Sequence, residues 1–283
     1  MGSIYCYNTN GFICQRSYDS SPNPSHFMMH AHDVLEIFIF ISGKGSYVVE
    51  GNTYSLLPYD ILIMRSTEAH KLNISPEEPY ERVTIHFSPT LLRKFDNYEH
   101  ILEPFFHHPL GRLNQYHPSD FSSEHWLSCL NAIETYANAN VSIDLFILSN
   151  LFALLAELCN AFHNRTDKDI FENSNNVSIE MIDYINKNLY NQISLKEVST
   201  HFFLSQSQTN RIFKKATGSS VWEYILLKRL LVAKQLIQNG ETPLKAHNSC
   251  GFTDYSSFYR KYKLLFGCSP KDDVNIYRNR PSS

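Results

Sequence analysis

Along this chain the spacing of apolar positions changes from strand-like to helical. Between residues 26 and 90 they fall in short runs: Val34–Ile41, Ser46–Glu50, Tyr54–Leu57, Ile61–Met64, His70–Ile74 and Arg82–Phe87. Gly43-Lys44-Gly45, Gly51-Asn52 and Pro58-Tyr59-Asp60 separate them. Close-set β-rich runs with Gly and Pro turns predict an antiparallel sandwich or barrel. From Ser122 to Phe162 the spacing becomes helical. Trp126, Leu130, Ile133 and Ala137 form one stripe, and Leu148, Leu151, Leu155, Leu158 and Phe162 form another. A helix–helix turn is expected at Asn138-Ala139-Asn140. Arg165–Asn176, crowded with Asp, Glu, Ser and Asn, predicts a linker, and the chain beyond it reads as helical to Tyr277.

In that last part Ile182, Ile185 and Leu189 make an apolar stripe. Ser194, with Glu197 three residues on, reads as a capping box opening a short helix. After a break at Phe203-Leu204, Ser205 caps a second helix. Thr209, Ile212, Phe213 and Ala216 share its inner face, and Ser207, Asn210, Arg211 and Lys214 the opposite one. A short helix, a tight turn and a helix with a polar, basic outer face suit major-groove reading; an ordinary solvated helix of a bundle has the same pattern. The arrangement recurs. Thr242-Pro243 starts a helix, Gly251-Phe252 turns the chain, and Asp254 caps a helix carrying Ser256, Phe258, Arg260 and Tyr262. Between the copies Val221–Asn239 predicts a helix roughly 28 Å long, close to the ~34 Å between successive major-groove faces.

Charge sharpens this picture. Val177–Ser283 holds 15 Lys and Arg against 8 Asp and Glu, and Met1–Asn176 holds 10 against 20. A basic tail on an acidic front suggests a polyanion-binding module attached to something else. With 43% hydrophobic residues a disordered or fibrous chain is excluded. No run reaches ~18 uncharged apolar residues, so no membrane span is expected; Leu145–Phe162 reads as a helix of a soluble domain. Met1–Asn10 shows neither a basic nor an apolar leader region, so the expected compartment is the cytoplasm. The six cysteines (Cys6, Cys14, Cys129, Cys159, Cys250, Cys268) form no C-x-x-C pair and read as reduced thiols.

The C-terminal residues resemble a known family. Ser205-x-Ser207-x3-Arg211-Ile212-Phe213-Lys214-Lys215-Ala216-Thr217-Gly218, then Glu223-Tyr224, Arg229 and Ala233, then Gly251-Phe252-Thr253-Asp254-Tyr255-Ser256-Ser257-Phe258-Tyr259-Arg260, then Phe266-Gly267-Cys268-Ser269-Pro270, are similar to the AraC-type DNA-binding domain. The likeness covers about Val177–Tyr277. It implies a sequence-specific transcription regulator with two helix-turn-helix units on double-stranded operator DNA. The implied contacts are Gln206, Ser207, Gln208, Asn210, Arg211 and Lys214 in the first unit, and Tyr255, Ser256, Tyr259 and Arg260 in the second. The second unit departs from the family at Ala246-His247, Lys261 and Leu264, which suggests backbone contact more than base reading there.

The front half carries His30-x-His32-x3-Glu36-x6-Gly43, the first cupin signature, and His70 in register with the second. Tyr59, Arg65 and Thr67 replace that second motif's small or turn residues. On a strand, His30, His32, Val34 and Glu36 would share one face. Over about Ser25–Ser88 the domain resembles the cupin sensor of AraC-type regulators. Three imidazoles and a carboxylate make a first shell for a divalent metal at His30, His32, Glu36 and His70. The same groups recognise the hydroxyls of a small-molecule effector such as a sugar. Tyr47, Arg82 and His86 join them as effector-binding candidates, and Thr84 shares the alternation of Arg82 and His86. Given the attached DNA-binding domain, effector recognition without a resident cofactor is preferred; the alternative is a metal-dependent cupin enzyme fused to that domain. His107-His108 is expected to be a solvated loop.

The fold expected is α+β and multidomain. An antiparallel cupin-like β-barrel (about 25–90) and helices (about 122–162) occupy residues 1–164, a linker 165–176, and an all-α DNA-binding domain 177–283. The chain is expected to be a regulator with no catalytic residues. The Leu148–Phe162 stripe is the expected seam of a homodimer, and RNA polymerase is the further partner if it activates.

Overall fold

A computed structural model of the chain describes residues 2–9, 11–138, 144–165, 177–191 and 193–278. The chain divides into two compact units, Met1–Met28 with Val34–Ser174, and Met29–Asp33 with Asn175–Ser283.

The first unit contains strands β1 (Gly2–Thr9), β2 (Phe12–Asp19), β3 (Leu35–Ser42), β4 (Gly45–Val49), β5 (Asn52–Ser55), β6 (Ile61–Met64), β7 (His70–Ile74), β8 (Tyr80–Phe87) and β9 (Gln115–Tyr116). They make an antiparallel sheet in the order β1-β2-β8-β3-β6-β9 and a second in the order β5-β4-β7. The architecture is a cupin-like pair of facing sheets; among the described residues no ladder closes them into a barrel. The sheet also begins earlier than residue 25. In β2, Phe12 and Cys14 are buried, but Gln15, Arg16 and Asp19 mask the alternation that would mark a strand.

β3 is an almost unbroken apolar run because both its faces are covered. Leu35, Ile37 and Ile39, with Ile61, Ile63, Val83, Ile85 and Phe87, pack against helices. Phe38 and Phe40, with Leu62 and Met64, face Tyr47, Val49, Leu72 and Ile74 of the smaller sheet. The helices are α1 (Tyr98–Ile101), α2 (Glu103–Phe106), α3 (His125–Asn138) and α4 (Asp144–His163). Trp126, Leu130, Ile133 and Ala137 of α3 join Ile147, Leu151, Leu154, Leu155 and Leu158 of α4 in that core. By length and hydropathy α4 would suffice to cross a membrane, yet its apolar stripe is core. Leu151, Leu155 and Leu158 are fully buried, so that part of the expected seam is an internal contact; Leu148 and Phe162 are half-buried, and Leu145 and Phe146 are exposed. Residues 139 and 140 of the expected turn, and 166–176 of the expected linker, lie outside the described residues. Arg165 is described. It donates to the carbonyls of Leu113 and Gln115 and lies over the Tyr116 ring at 3.7 Å.

The second unit carries α5 (Val177–Lys187), α6 (Leu195–His201), α7 (Gln206–Thr217), α8 (Val221–Gln238), α9 (Pro243–Ser249), α10 (Tyr255–Phe266) and α11 (Pro270–Arg278). Ser194, Ser205, Ser220, Thr242 and Asp254 each cap a helix by accepting a backbone N–H with the side chain. At Ser205 and Ser220 the bond is returned by Gln208 and Glu223, completing capping boxes. Gly218 and Gly267 end α7 and α10 in the left-handed conformation, at φ 81° and 73°.

Candidate functional site

Strand register decides which polar side chains of the first unit meet. Even-numbered residues of β3 and β8 face the smaller sheet, so Glu36, Arg82, Thr84 and His86 share the face of Phe38 and Phe40. Glu36 is directly opposite His86, Phe38 opposite Thr84, and Phe40 opposite Arg82. From the facing sheet Tyr47 and His70 point the same way. The Tyr47 ring stacks on His70 at 5.9 Å and packs on Phe38 at 4.6 Å.

Glu36 and His70 come together here, with His86 as third member. Glu36 Oε2 lies 3.1 Å from His70 Nε2 and 3.3 Å from His86 Nε2. Glu36 and His70 are almost wholly buried. His70 Nδ1 is 2.8 Å from the Glu68 carbonyl. A carbonyl can only accept, so Nδ1 carries hydrogen and Nε2 is the atom turned toward Glu36. Burial holds Tyr47 well above the ordinary phenol pKa, with Glu36 adding to the rise and Arg82 opposing it. Tyr80 is raised by burial as well. Both phenols therefore keep their hydrogen. Arg82 sits over the rings of Phe27 and Tyr80, at 5.7 and 5.9 Å. The result is a buried face offering a carboxylate, two imidazoles, a guanidinium, a hydroxyl and two phenols among aromatic rings.

His30 and His32 lie ahead of the strand on which alternation placed them. β3 starts at Leu35, so neither lies on the strand that carries Glu36. They belong to Met29–Asp33, which groups with the second unit, and their rings meet edge to face at 5.0 Å. The segment His30-Ala31-His32-Asp33 lacks the β-branched residues that would extend the strand. Residues that the pattern did not single out also share the inter-sheet face: Gln15 is opposite Thr84, and Ser17 opposite Arg82.

The departures in the second cupin motif have a backbone explanation. Tyr59 and Thr67 stand where glycines are usual, and both adopt positive φ, 68° and 73°. Buried carboxylates hold these turns. Asp60 accepts from Leu57 N–H at 2.7 Å, and Glu68 from Arg65 N–H at 3.1 Å. The expectation of a solvated His107-His108 loop needs correcting: His107 is exposed, but His108 is buried, and its Nδ1 faces the Pro109 carbonyl at 2.9 Å.

In the second unit α6 and α7 form one helix-turn-helix, α9 and α10 the other. Gln206, Ser207, Arg211 and Lys214 are exposed along the outer face of α7. Two neighbours hold the fold instead: Gln208 Oε1 accepts from Ser205 N–H and Oγ–H, and Asn210 Oδ1 accepts from Val221 N–H at 3.0 Å. On α10, Tyr255, Ser256, Tyr259 and Arg260 are exposed, as are Lys261 and Leu264. His247 lies on the inner side of α9. It is buried among Phe252, Tyr255 and Phe258, with ring centroids 5.4 to 6.1 Å away. Arg229 of α8 is nearly buried. Its guanidinium donates to the carbonyls of Leu189, Asn191 and Gly251, at 2.9, 2.6 and 2.9 Å. One cation thus ties the end of the α5 segment to the turn of the second helix-turn-helix. Gly251 leaves room for it: at φ 73°, an added Cβ would lie 3.0 Å from Arg229 Nη2.

Comparison with known proteins agrees with this division. Residues 16–155 match the family described as AraC-like ligand binding domain, and residues 198–275 match a helix-turn-helix domain family. "Probable transcriptional regulator LumQ" of Photobacterium leiognathi is 29% identical over 245 residues, covering 85% of this chain and 89% of its own. The "Msm operon regulatory protein" of Streptococcus mutans is 24% identical, over 91% of this chain and 87% of its own. The "HTH-type transcriptional activator RhaS" of Escherichia fergusonii is 24% identical over 87% of each.

Proposed function

The chain belongs to the AraC family of DNA-binding transcriptional regulators, and we propose that its inter-sheet face takes up a small polyhydroxylated effector, a sugar or sugar derivative. The observation that carries this reading is the convergence of Glu36, His70, Arg82, Thr84, His86 and Tyr47 on one buried face among aromatic rings. Carboxylate and imidazole pairs bind hydroxyls as donor and acceptor together, and aromatic faces cover the apolar side of a sugar ring. Family and relatives are regulators, so the chain is a regulator and not an enzyme. In the second unit, Gln206, Ser207, Arg211 and Lys214 of α7 read the operator, with Tyr255, Ser256, Tyr259 and Arg260 of α10 beside them. The protein acts in the cytoplasm as a homodimer, and contacts RNA polymerase where it activates.

The test uses the full-length protein, a selected operator and a panel of sugars and sugar phosphates. One panel member should raise the melting temperature and change operator affinity. Arg82→Ala and His70→Ala should bind operator without effector and lose that response. A wild-type protein unmoved by every panel member overturns the sugar reading. A second reading rests on the orientation of His70, whose Nε2 faces Glu36. Glu36 and His70, with His86 opposite Glu36, would hold a divalent metal; when bound it would supply a Lewis-acidic anchor for effector oxygens. Metal analysis of untagged protein, with Glu36→Gln as control, separates the two.

A further inference from the structure

Away from the inter-sheet face, a second set of metal-ligating side chains gathers where α1 and α2 meet the end of α4. His100 lies on α1, Glu103 opens α2, and Cys159 and His163 lie one turn apart on α4. His100 Nδ1 is 2.7 Å from Glu103 Oε1, and His163 Nε2 is 3.0 Å from Glu103 Oε2. One carboxylate thus holds two imidazoles, one on each oxygen. The two rings stack with centroids 5.5 Å apart. Cys159 Sγ sits 3.4 Å from the His100 carbonyl. The ligand atoms of His100, Cys159 and His163 all lie within 4.8 Å of one another.

We propose that His100, Glu103, Cys159 and His163 form a binding site for a divalent transition metal of the zinc class. The donor set is two nitrogens, one sulfur and one carboxylate oxygen, which suits a tetrahedral borderline-soft ion and suits magnesium or calcium poorly. In such a site the ligand atoms lie about 3.3–3.8 Å apart, given bonds of about 2.0–2.3 Å. Small rotations of these side chains close the present spacing. Cys159 and His163 are spaced i, i+4, the helical separation that puts two ligands side by side. Glu103 supplies the carboxylate between the two imidazoles, one oxygen toward each ring. Binding is a proton exchange. The Cys159 thiol loses its proton to water, the thiolate sulfur bonds the metal, and both imidazoles bind as neutral ligands.

Placement gives the site a consequence. His163 is the last residue of α4, and the next helix, α5, begins at Val177 in the second unit. A metal joining α1 and α2 to the end of α4 would fasten the point from which the chain leaves the sensor for the DNA-binding unit.

The experiment uses untagged full-length protein, stripped of metal under reducing conditions and titrated with Co2+. Wild type should take up one equivalent at this site, with the thiolate-to-cobalt charge-transfer band of a tetrahedral sulfur site. Zn2+ should displace the cobalt and shield Cys159 from alkylation. Cys159→Ser should abolish the band. His163→Gln, at an exposed position, should weaken cobalt binding about 10-fold or more while circular dichroism stays unchanged. Glu36→Gln should leave the band intact, which separates this site from any metal on the inter-sheet face. Absence of a charge-transfer band in wild type overturns the proposal. So does a band that survives Cys159→Ser, or one that is insensitive to His163→Gln.

Discussion

Phe203 shows how single residues carry strain in this protein. It occupies the turn between α6 and α7 at φ 53° and is 96% exposed. A left-handed conformation costs a residue with a Cβ about 1–2 kcal/mol, and glycine's greater unfolded entropy offsets about 0.5–1 of that. Phe203→Gly should therefore stabilise the second unit by roughly 0.5–1 kcal/mol, seen as a higher midpoint in thermal melts of the full chain. Phe203→Ala keeps the penalty and should not gain; equal gains for both would mean that the ring and not the backbone is the cost. Arg229 is the opposite case, a charge held by three carbonyls. Burial lowers its pKa, but an arginine stays protonated under ordinary conditions. Arg229→Ala leaves those carbonyls with one partner fewer and should cost about 3 kcal/mol, measured by denaturant unfolding. Operator affinity should fall with it, because the same cation ties the end of the α5 segment to the turn of the second helix-turn-helix. A cost below about 1 kcal/mol would show that water replaces the guanidinium.

At the scale of elements, α4 shows that a periodic stripe names an apolar face without naming its cover. Leu151, Leu155 and Leu158 follow helical spacing, and the same spacing serves a dimer seam or a core helix. The larger sheet supplies the cover: Ile37, Ile85 and Phe87 belong to the same cluster. Leu155→Glu should accordingly unfold the first unit, since an unpaired carboxylate would replace a side chain with no exposure. The expected loss exceeds about 4 kcal/mol, read as loss of the first unit's cooperative transition. A folded monomer from the same variant would restore the seam. The capped helices of the second unit are the reverse case. Ser194, Ser205, Thr242 and Asp254 are all legible as caps, because a cap needs only its own turn of helix.

For the whole molecule, charge and fold divide along the same line. The second unit, with its excess of Lys and Arg, places Arg211 and Lys214 on the exposed face of α7. Operator affinity should fall steeply with salt, and Lys214→Gln should make the log–log slope shallower by about 0.9 if it neutralises one phosphate. Fluorescence anisotropy over a salt series measures this; an unchanged slope would take Lys214 off the backbone.

The sequence by itself determined the two-part organisation, the six strands from β3 to β8, the helices of the second unit and their caps, and the family. These follow from local periodicity, turn chemistry and an ordered run of motifs, each readable within one element. Only the tertiary structure decided which polar residues share a site. β1 and β2 lie outside the recognisable pattern, so Gln15 and Ser17 could not be assigned a face until β2 was paired with β8. His86 joins Glu36 because antiparallel register sets them opposite one another, and register is a property of two strands at once. His30 and His32, placed on the Glu36 strand by alternation, lie ahead of it because β3 begins at Leu35. His100, Glu103, Cys159 and His163 are up to 63 positions apart; the packing of α1 and α2 on α4 brings them together, and no spacing along the chain encodes that contact.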